Sequence, residues 1–123
     1  MIRKSIVLFA VILFAVGCGT ALKFTVDDFG KTVQFNIGNN FDIVLDGNPT
    51  TGYTWDISKL PSIVKQSKEP DYRINSNLVG AGGKYTFHFT AVRSGKGMLE
   101  LLYRRPWDKT EPINAFYLNI EVK

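Results

Sequence analysis

The sequence predicts an all-β domain, a sandwich of about seven antiparallel strands in two packed sheets. Apolar and polar residues alternate with a period of two in stretch after stretch, and clusters of Gly, Asn, Asp and Pro punctuate them. No stretch of comparable length carries the amphipathic period of a helix. Strands with one apolar face bury it by stacking sheet on sheet. A small barrel would bury the same faces, because alternation says which side is covered and not how the sheet closes.

Residues 1–17 read as an export signal and stand apart from the fold. Arg3 and Lys4 give a basic start, residues 5–16 are almost wholly apolar, and small residues follow at Ala15, Gly17 and Cys18, the three-part pattern of a cleaved leader. The apolar run is shorter than the roughly 20 residues of a spanning helix. Ala15-Val16-Gly17-Cys18 resembles the lipobox of bacterial lipoproteins, in which the cysteine becomes the lipidated first residue; Ala15 and Gly17 also fit an ordinary small-x-small cut. The expected location is the envelope or periplasm of a bacterial-type cell, or outside it, with membrane contact only through a lipid on Cys18. Residues 18–22 form a short tether and residues 23–123 the domain. Cys18 is the 1 cysteine present, so no internal disulfide forms and the core must supply the stability.

Along the domain, Phe24 and Val26 alternate with polar neighbours, Val33, Phe35 and Ile37 do so after Asp28-Phe29-Gly30, and Phe41, Ile43 and Leu45 do so after Gly38-Asn39-Asn40. Asp46-Gly47-Asn48-Pro49 breaks the pattern before Tyr53, Trp55 and Ile57 resume it. Pro61 and Pro70 bracket residues 60–71, which read as loop with one short edge strand, since proline cannot donate to a central ladder. Tyr85, Phe87 and Phe89 share one strand face and Thr86, His88 and Thr90 the other. Arg93-Ser94-Gly95-Lys96-Gly97 reads as a turn, Met98 to Tyr103 as a strand, and Phe116, Leu118, Ile120 and Val122 as the inward face of the last strand.

Composition excludes several functions. The formal net charge of +4 falls to +2 when Arg3 and Lys4 leave with the leader, so the domain lacks the basic stripe of a nucleic-acid binder. With 1 His, 1 Cys and scattered carboxylates there is no clustered zinc pattern. Cys18 and His88 make a poor catalytic dyad, because the first fits a lipid anchor and the second lies mid-strand, where a solvated or locally bonded role is expected. No catalytic residue, metal or other cofactor is expected.

Three loops carry what chemistry remains. In Asn48-Pro49-Thr50-Thr51-Gly52-Tyr53, Pro49 fixes its own φ and restrains Asn48, Gly52 permits a turn closed to other residues, and two threonines sit at a narrow tip. A stiff tip enters a cleft at little ordering cost; the same residues also make a plain tight turn between strands. Gly80-Ala81-Gly82-Gly83 exposes backbone donors and acceptors but lacks the Gly-Lys-Ser/Thr ending of a phosphate loop. In Tyr103-Arg104-Arg105-Pro106-Trp107, Pro106 stiffens the turn and Trp107 falls beyond the alternating pattern. Tryptophan and arginine are the side chains most enriched in interface hot spots, while a bland reading folds Trp107 back on its own domain.

Taken in this order with Trp55 between them, the three segments resemble the chagasin family, inhibitors of papain-like cysteine peptidases. The resemblance covers essentially the whole mature chain, and its specificity lies in the combination. It implies an immunoglobulin-like β-sandwich, monomeric when unbound, whose three loops form a wedge at one end. Thr50 and Thr51 would sit over the catalytic cysteine and histidine of the peptidase, residues 80–83 would run along its substrate cleft, and Arg105, Pro106 and Trp107 would clasp the other side. The function implied is reversible, competitive inhibition. The rival is a non-inhibitory binding or adhesion lipoprotein that uses the same loop edge, since fold alone does not separate the two.

Overall fold

The computed structural model describes residues 22–76, 80–107 and 111–123; the export signal, Cys18 and the tether residues 18–21 lie outside the described residues. Eight strands follow in chain order: β1 Leu22–Phe24, β2 Thr32–Phe35, β3 Asn40–Gly47, β4 Thr54–Lys59, β5 Val64–Ile74, β6 Gly83–Ala91, β7 Gly95–Arg104 and β8 Asn114–Val122. They form two four-stranded sheets in the orders β1-β3-β6-β5 and β2-β8-β7-β4, an immunoglobulin-like sandwich as the sequence implies. The long strands pair antiparallel, while the short outer strands β1 and β2 run parallel to β3 and β8.

Alternation is what builds the core. Phe41, Ile43 and Leu45 of β3 lie in register with Phe89, Phe87 and Tyr85 of β6, so each apolar residue meets another on the same face. They share one buried cluster with Leu99 and Leu101 of β7 and Phe116, Leu118 and Ile120 of β8. Phe41 stacks on Phe35 at 4.4 Å and on Phe89 at 5.3 Å between ring centroids, which pins β2 of one sheet against β3 and β6 of the other.

Several local expectations need correction. Residues 60–71 are not mainly loop: β5 runs for 11 residues as the outer strand of its sheet. Its pairing with β6 shifts register between Gln66 and Lys68 and again between Lys68 and Asp71, and these bulges accommodate Pro70 at an edge where no donor is required. The weak alternation of the segment hides it, because an outer strand exposes most of both faces. Val26 lies in a 3-10 turn, Val26–Asp28, capped by the Thr25 side chain, and not in a strand. Ile37 falls in an exposed turn. The β6–β7 turn is shorter than expected, β7 starting at Gly95.

Register defines the two poles of the sandwich. Gly47 meets Gly83, Thr54 meets Arg104 and Tyr103 meets Asn114 at one pole, so the connections carrying residues 48–53, 80–82 and 105–107 all emerge there. Asn40 meets Thr90, Val64 meets Ala91, and Phe35 and Gly95 both meet Val122 at the other.

Candidate functional site

The first loop is held by its own polar atoms. Asn48 caps the 3-10 turn Pro49–Thr51, its Oδ1 accepting from the Thr50 amide at 3.1 Å and the Thr50 hydroxyl at 2.6 Å. The Thr51 hydroxyl donates to the Asn48 carbonyl at 2.7 Å. Gly52 closes the turn at φ +87°, its N–H donating to the Pro49 carbonyl, a conformation that a Cβ disfavours. The sequence thus writes a turn whose tip, Pro49 to Thr51, stands exposed and pre-shaped.

Beneath it lies an aromatic base. The Asn48 amide donates to the Tyr103 hydroxyl at 2.9 Å, and the Tyr103 ring packs on Tyr53 and Trp55 with centroids 5.6 and 5.0 Å away. The Trp55 indole N–H donates to the Asp46 carbonyl at 2.9 Å. Gly47 is glycine because a Cβ there would come within 2.6 Å of the Tyr85 ring. Burial pushes the Tyr85 hydroxyl above the usual phenol value, against an opposing hydrogen bond with Thr54.

Each flanking loop is tied to the first. The Asn48 carboxamide Nδ2 donates to the Gly80 carbonyl at 2.8 Å, so one side chain shapes its own loop and reaches the next. The Asn75 amide donates to the Gly82 carbonyl, and Gly83 is the buried first residue of β6 and not a free loop residue. On the other flank the Arg105 guanidinium donates through Nη2 to the Thr51 carbonyl at 3.3 Å and lies 4.7 Å over the Tyr53 ring. Arg104 points elsewhere, with its Nε 3.5 Å from Asp56 Oδ2. Trp107 lays its ring against Gly52, 3.0 Å from where a Cβ would stand, yet it is 73% exposed. Pro106 is exposed beside it and Ala81 half-buried.

All thirteen residues singled out from sequence, Asn48 to Tyr53, Gly80 to Gly83 and Arg105 to Trp107, therefore meet at one pole. Sequence reasoning named Tyr103 at the head of the third segment and Gly47 in the break before the first without giving either a role in the site, and it missed Asn75. Tyr103 was legible as the end of a strand and the start of that segment, but its hydroxyl bond to the Asn48 amide is long-range.

The arrangement offers shape and backbone hydrogen bonds, not acid–base chemistry. His88 sits mid-strand on β6, its Nδ1 2.9 Å from Asp42 Oδ1 and its Nε2 2.9 Å from Asp71 Oδ2, so it cross-links three strands on the outer face of their sheet. The hydrogen bond with His88 holds the Asp71 carboxyl below its ordinary value of 3.8, against a desolvation that raises it. Among the described residues no group of three or more His, Cys, Asp or Glu side chains is placed to hold a metal.

Comparison with known proteins matches this description. The model of the Chagasin family peptidase inhibitor I42 matches residues 34–120. The chain is similar to Amoebiasin-1 of Entamoeba histolytica, 31% identical over 102 residues that make up 83% of this chain and 100% of the relative. It is also similar to Chagasin of Trypanosoma cruzi, 35% identical over 83 residues, 63% of this chain and 76% of that one. The solved cysteine protease inhibitor EhICP2 of Entamoeba histolytica shares the fold with a TM-score of 0.75 at 22% identity, over 84% of this chain and 96% of the other. The matched span takes in all three loops and nearly the whole sandwich, and the chain belongs to the chagasin family, whose members inhibit cysteine peptidases and are not enzymes.

Proposed function

We propose that this chain is a reversible, competitive inhibitor of papain-like cysteine peptidases, and that the loops 48–53, 80–83 and 105–107 together occlude the active-site cleft. The observation that carries this is the bracing: Asn48 ties the first loop to the second and Arg105 ties the first to the third. A wedge already ordered before contact loses little conformational freedom on binding. Thr50 and Thr51 at its tip meet the catalytic cysteine and histidine, residues 80–83 follow the cleft, and Trp107 packs on the enzyme beyond it. The 3-10 turn Pro49–Thr51, closed by the Gly52 N–H on the Pro49 carbonyl and the Thr51 hydroxyl on the Asn48 carbonyl, keeps the tip out of the extended form of a cleavable peptide, so the attacking sulfur finds no peptide in near-attack geometry. Three loops of this kind suit the roughly 1,600 Å² of a standard protease–inhibitor interface. The same reading places the mature protein outside the cytoplasm, by the leader in residues 1–17 and a lipid on Cys18.

Inhibition constants of the mature protein against papain and cathepsin-like peptidases test the proposal, with substrate competition expected. Replacing both tip residues, Thr50→Arg with Thr51→Asp, should weaken inhibition by about a hundredfold while the melting temperature holds, since both are exposed. No inhibition by wild type at about 1 μM across the panel would sink the reading in favour of a non-inhibitory envelope binding protein.

A further inference from the structure

The pole opposite the loops has a character of its own. Its turns carry Ile37, Leu60 and Val92, which are 56%, 44% and 38% exposed. Main-chain bonds hold these turns together: Gly38 to Ala91, Ala91 to Asn39, and Val92 to Ile63. The C-terminal Lys123 joins them through its amide to the Phe35 carbonyl. Large aliphatic side chains thus stand at the tips of three turns of one pole, where a single partner surface can cover them together.

Exposed charge at the same pole is mostly positive. Lys23, Lys65, Arg93, Lys96 and Lys123 are all exposed, and among the described residues none of them forms an ion pair. Two half-buried carboxylates lie in register with this set, Glu121 with Lys96 and Asp42 with Lys23; Glu121 takes a hydrogen bond from Gln34 and Asp42 bonds His88, while Lys65 faces Thr90. At the loop pole, by contrast, Lys84 and Arg104 are spent on Asp46 and Asp56.

The chain also enters the fold here. Leu22, 40% exposed, is in register with Phe41 near the start of β3, four residues after Cys18. Apolar tips, exposed cations and the entry of the chain from its N-terminal segment coincide at one pole. An anionic bilayer surface satisfies all three, since headgroups attract the cations and the interface accepts the aliphatic tips.

We propose that this pole is a peripheral membrane-contact surface for anionic phospholipids, which seats the domain on the bilayer with its three loops facing away. Among the described residues no helix is long and apolar enough to cross a membrane. Nothing in it requires the loops to inhibit a peptidase.

The exported chain, residues 18–123 with Cys18→Ser so that no acyl group contributes, tests this by co-sedimentation with vesicles. Its buried core lies wholly between Phe35 and Val122, so this chain keeps the entire fold, and a melting curve checks each variant. Vesicles of mixed phosphatidylcholine and phosphatidylglycerol should bind it in a salt-sensitive way, and phosphatidylcholine alone should not. The combined Lys65→Glu, Arg93→Glu and Lys123→Glu variant should bind at least about tenfold more weakly. Ile37→Ser with Val92→Ser should cost about threefold. A matched reversal elsewhere, Arg73→Glu with Lys84→Glu and Arg104→Glu, should cost less than about twofold. Equal binding to neutral vesicles, no loss in the first triple variant, or an equal loss in the matched one would overturn the proposal.

Discussion

The two poles of the sandwich are assembled by different means. At the loop pole, segments are joined through side chains: Asn48 to Gly80, Arg105 to Thr51, Tyr103 to Asn48, and the Trp107 ring against Gly52. At the other, turns are joined mainly through the main chain, by the Gly38–Ala91, Ala91–Asn39 and Val92–Ile63 bonds, beside a side-chain link from the Thr90 hydroxyl to Asn40. Main-chain bonds tolerate any residue that keeps the local φ and ψ, whereas side-chain braces fail with a single substitution. The shape of the loop pole therefore depends on residue identity, and inhibition should be lost there well before the fold is.

The sharpest break of that contrast is Trp107→Ala. With most of the ring exposed, removing it should raise the inhibition constant about thirtyfold or more while the melting temperature stays within about 2 °C. A large fall in melting temperature instead would make Trp107 a structural residue. Gly52→Ala comes next, because it adds a Cβ at positive φ and 3.0 Å from the Trp107 ring. It should weaken inhibition about tenfold and destabilise the fold by about 1–2 kcal/mol, read from denaturant unfolding. Tyr103→Phe keeps the ring between Tyr53 and Trp55 and removes only the acceptor of the Asn48 amide. About fivefold weaker inhibition is expected, with slower association as the signature of a loosened loop. The smallest effect belongs to the other pole: Lys123→Glu should leave inhibition of a soluble peptidase unchanged within about twofold. A loss equal to that of Tyr103→Phe would erase the distinction between the poles.

What was legible in the sequence follows the same division. Strands β3, β6 and β8 each bury one face against a partner, so their period of two is clean and the core could be read directly. Edge strand β5 buries little, and its polar run Lys65 to Asp71 reads as loop although it forms the longest strand. The loop motifs were visible because Asn, Pro and Gly have local backbone reasons to stand where they do. The braces were not, since Asn48–Gly80 and Arg105–Thr51 join residues 32 and 54 positions apart, and no local pattern encodes such a meeting. His88 was legible as a bonded sheet residue, but its two aspartate partners come from strands on either side.

The irregular margin formed by β5 bears on crowding. Its two register shifts, Pro70 and the lysines at 65 and 68 leave a border that a neighbouring molecule cannot extend as a straight ladder. Copies crowded side by side would then slide past one another without zippering into fibrils.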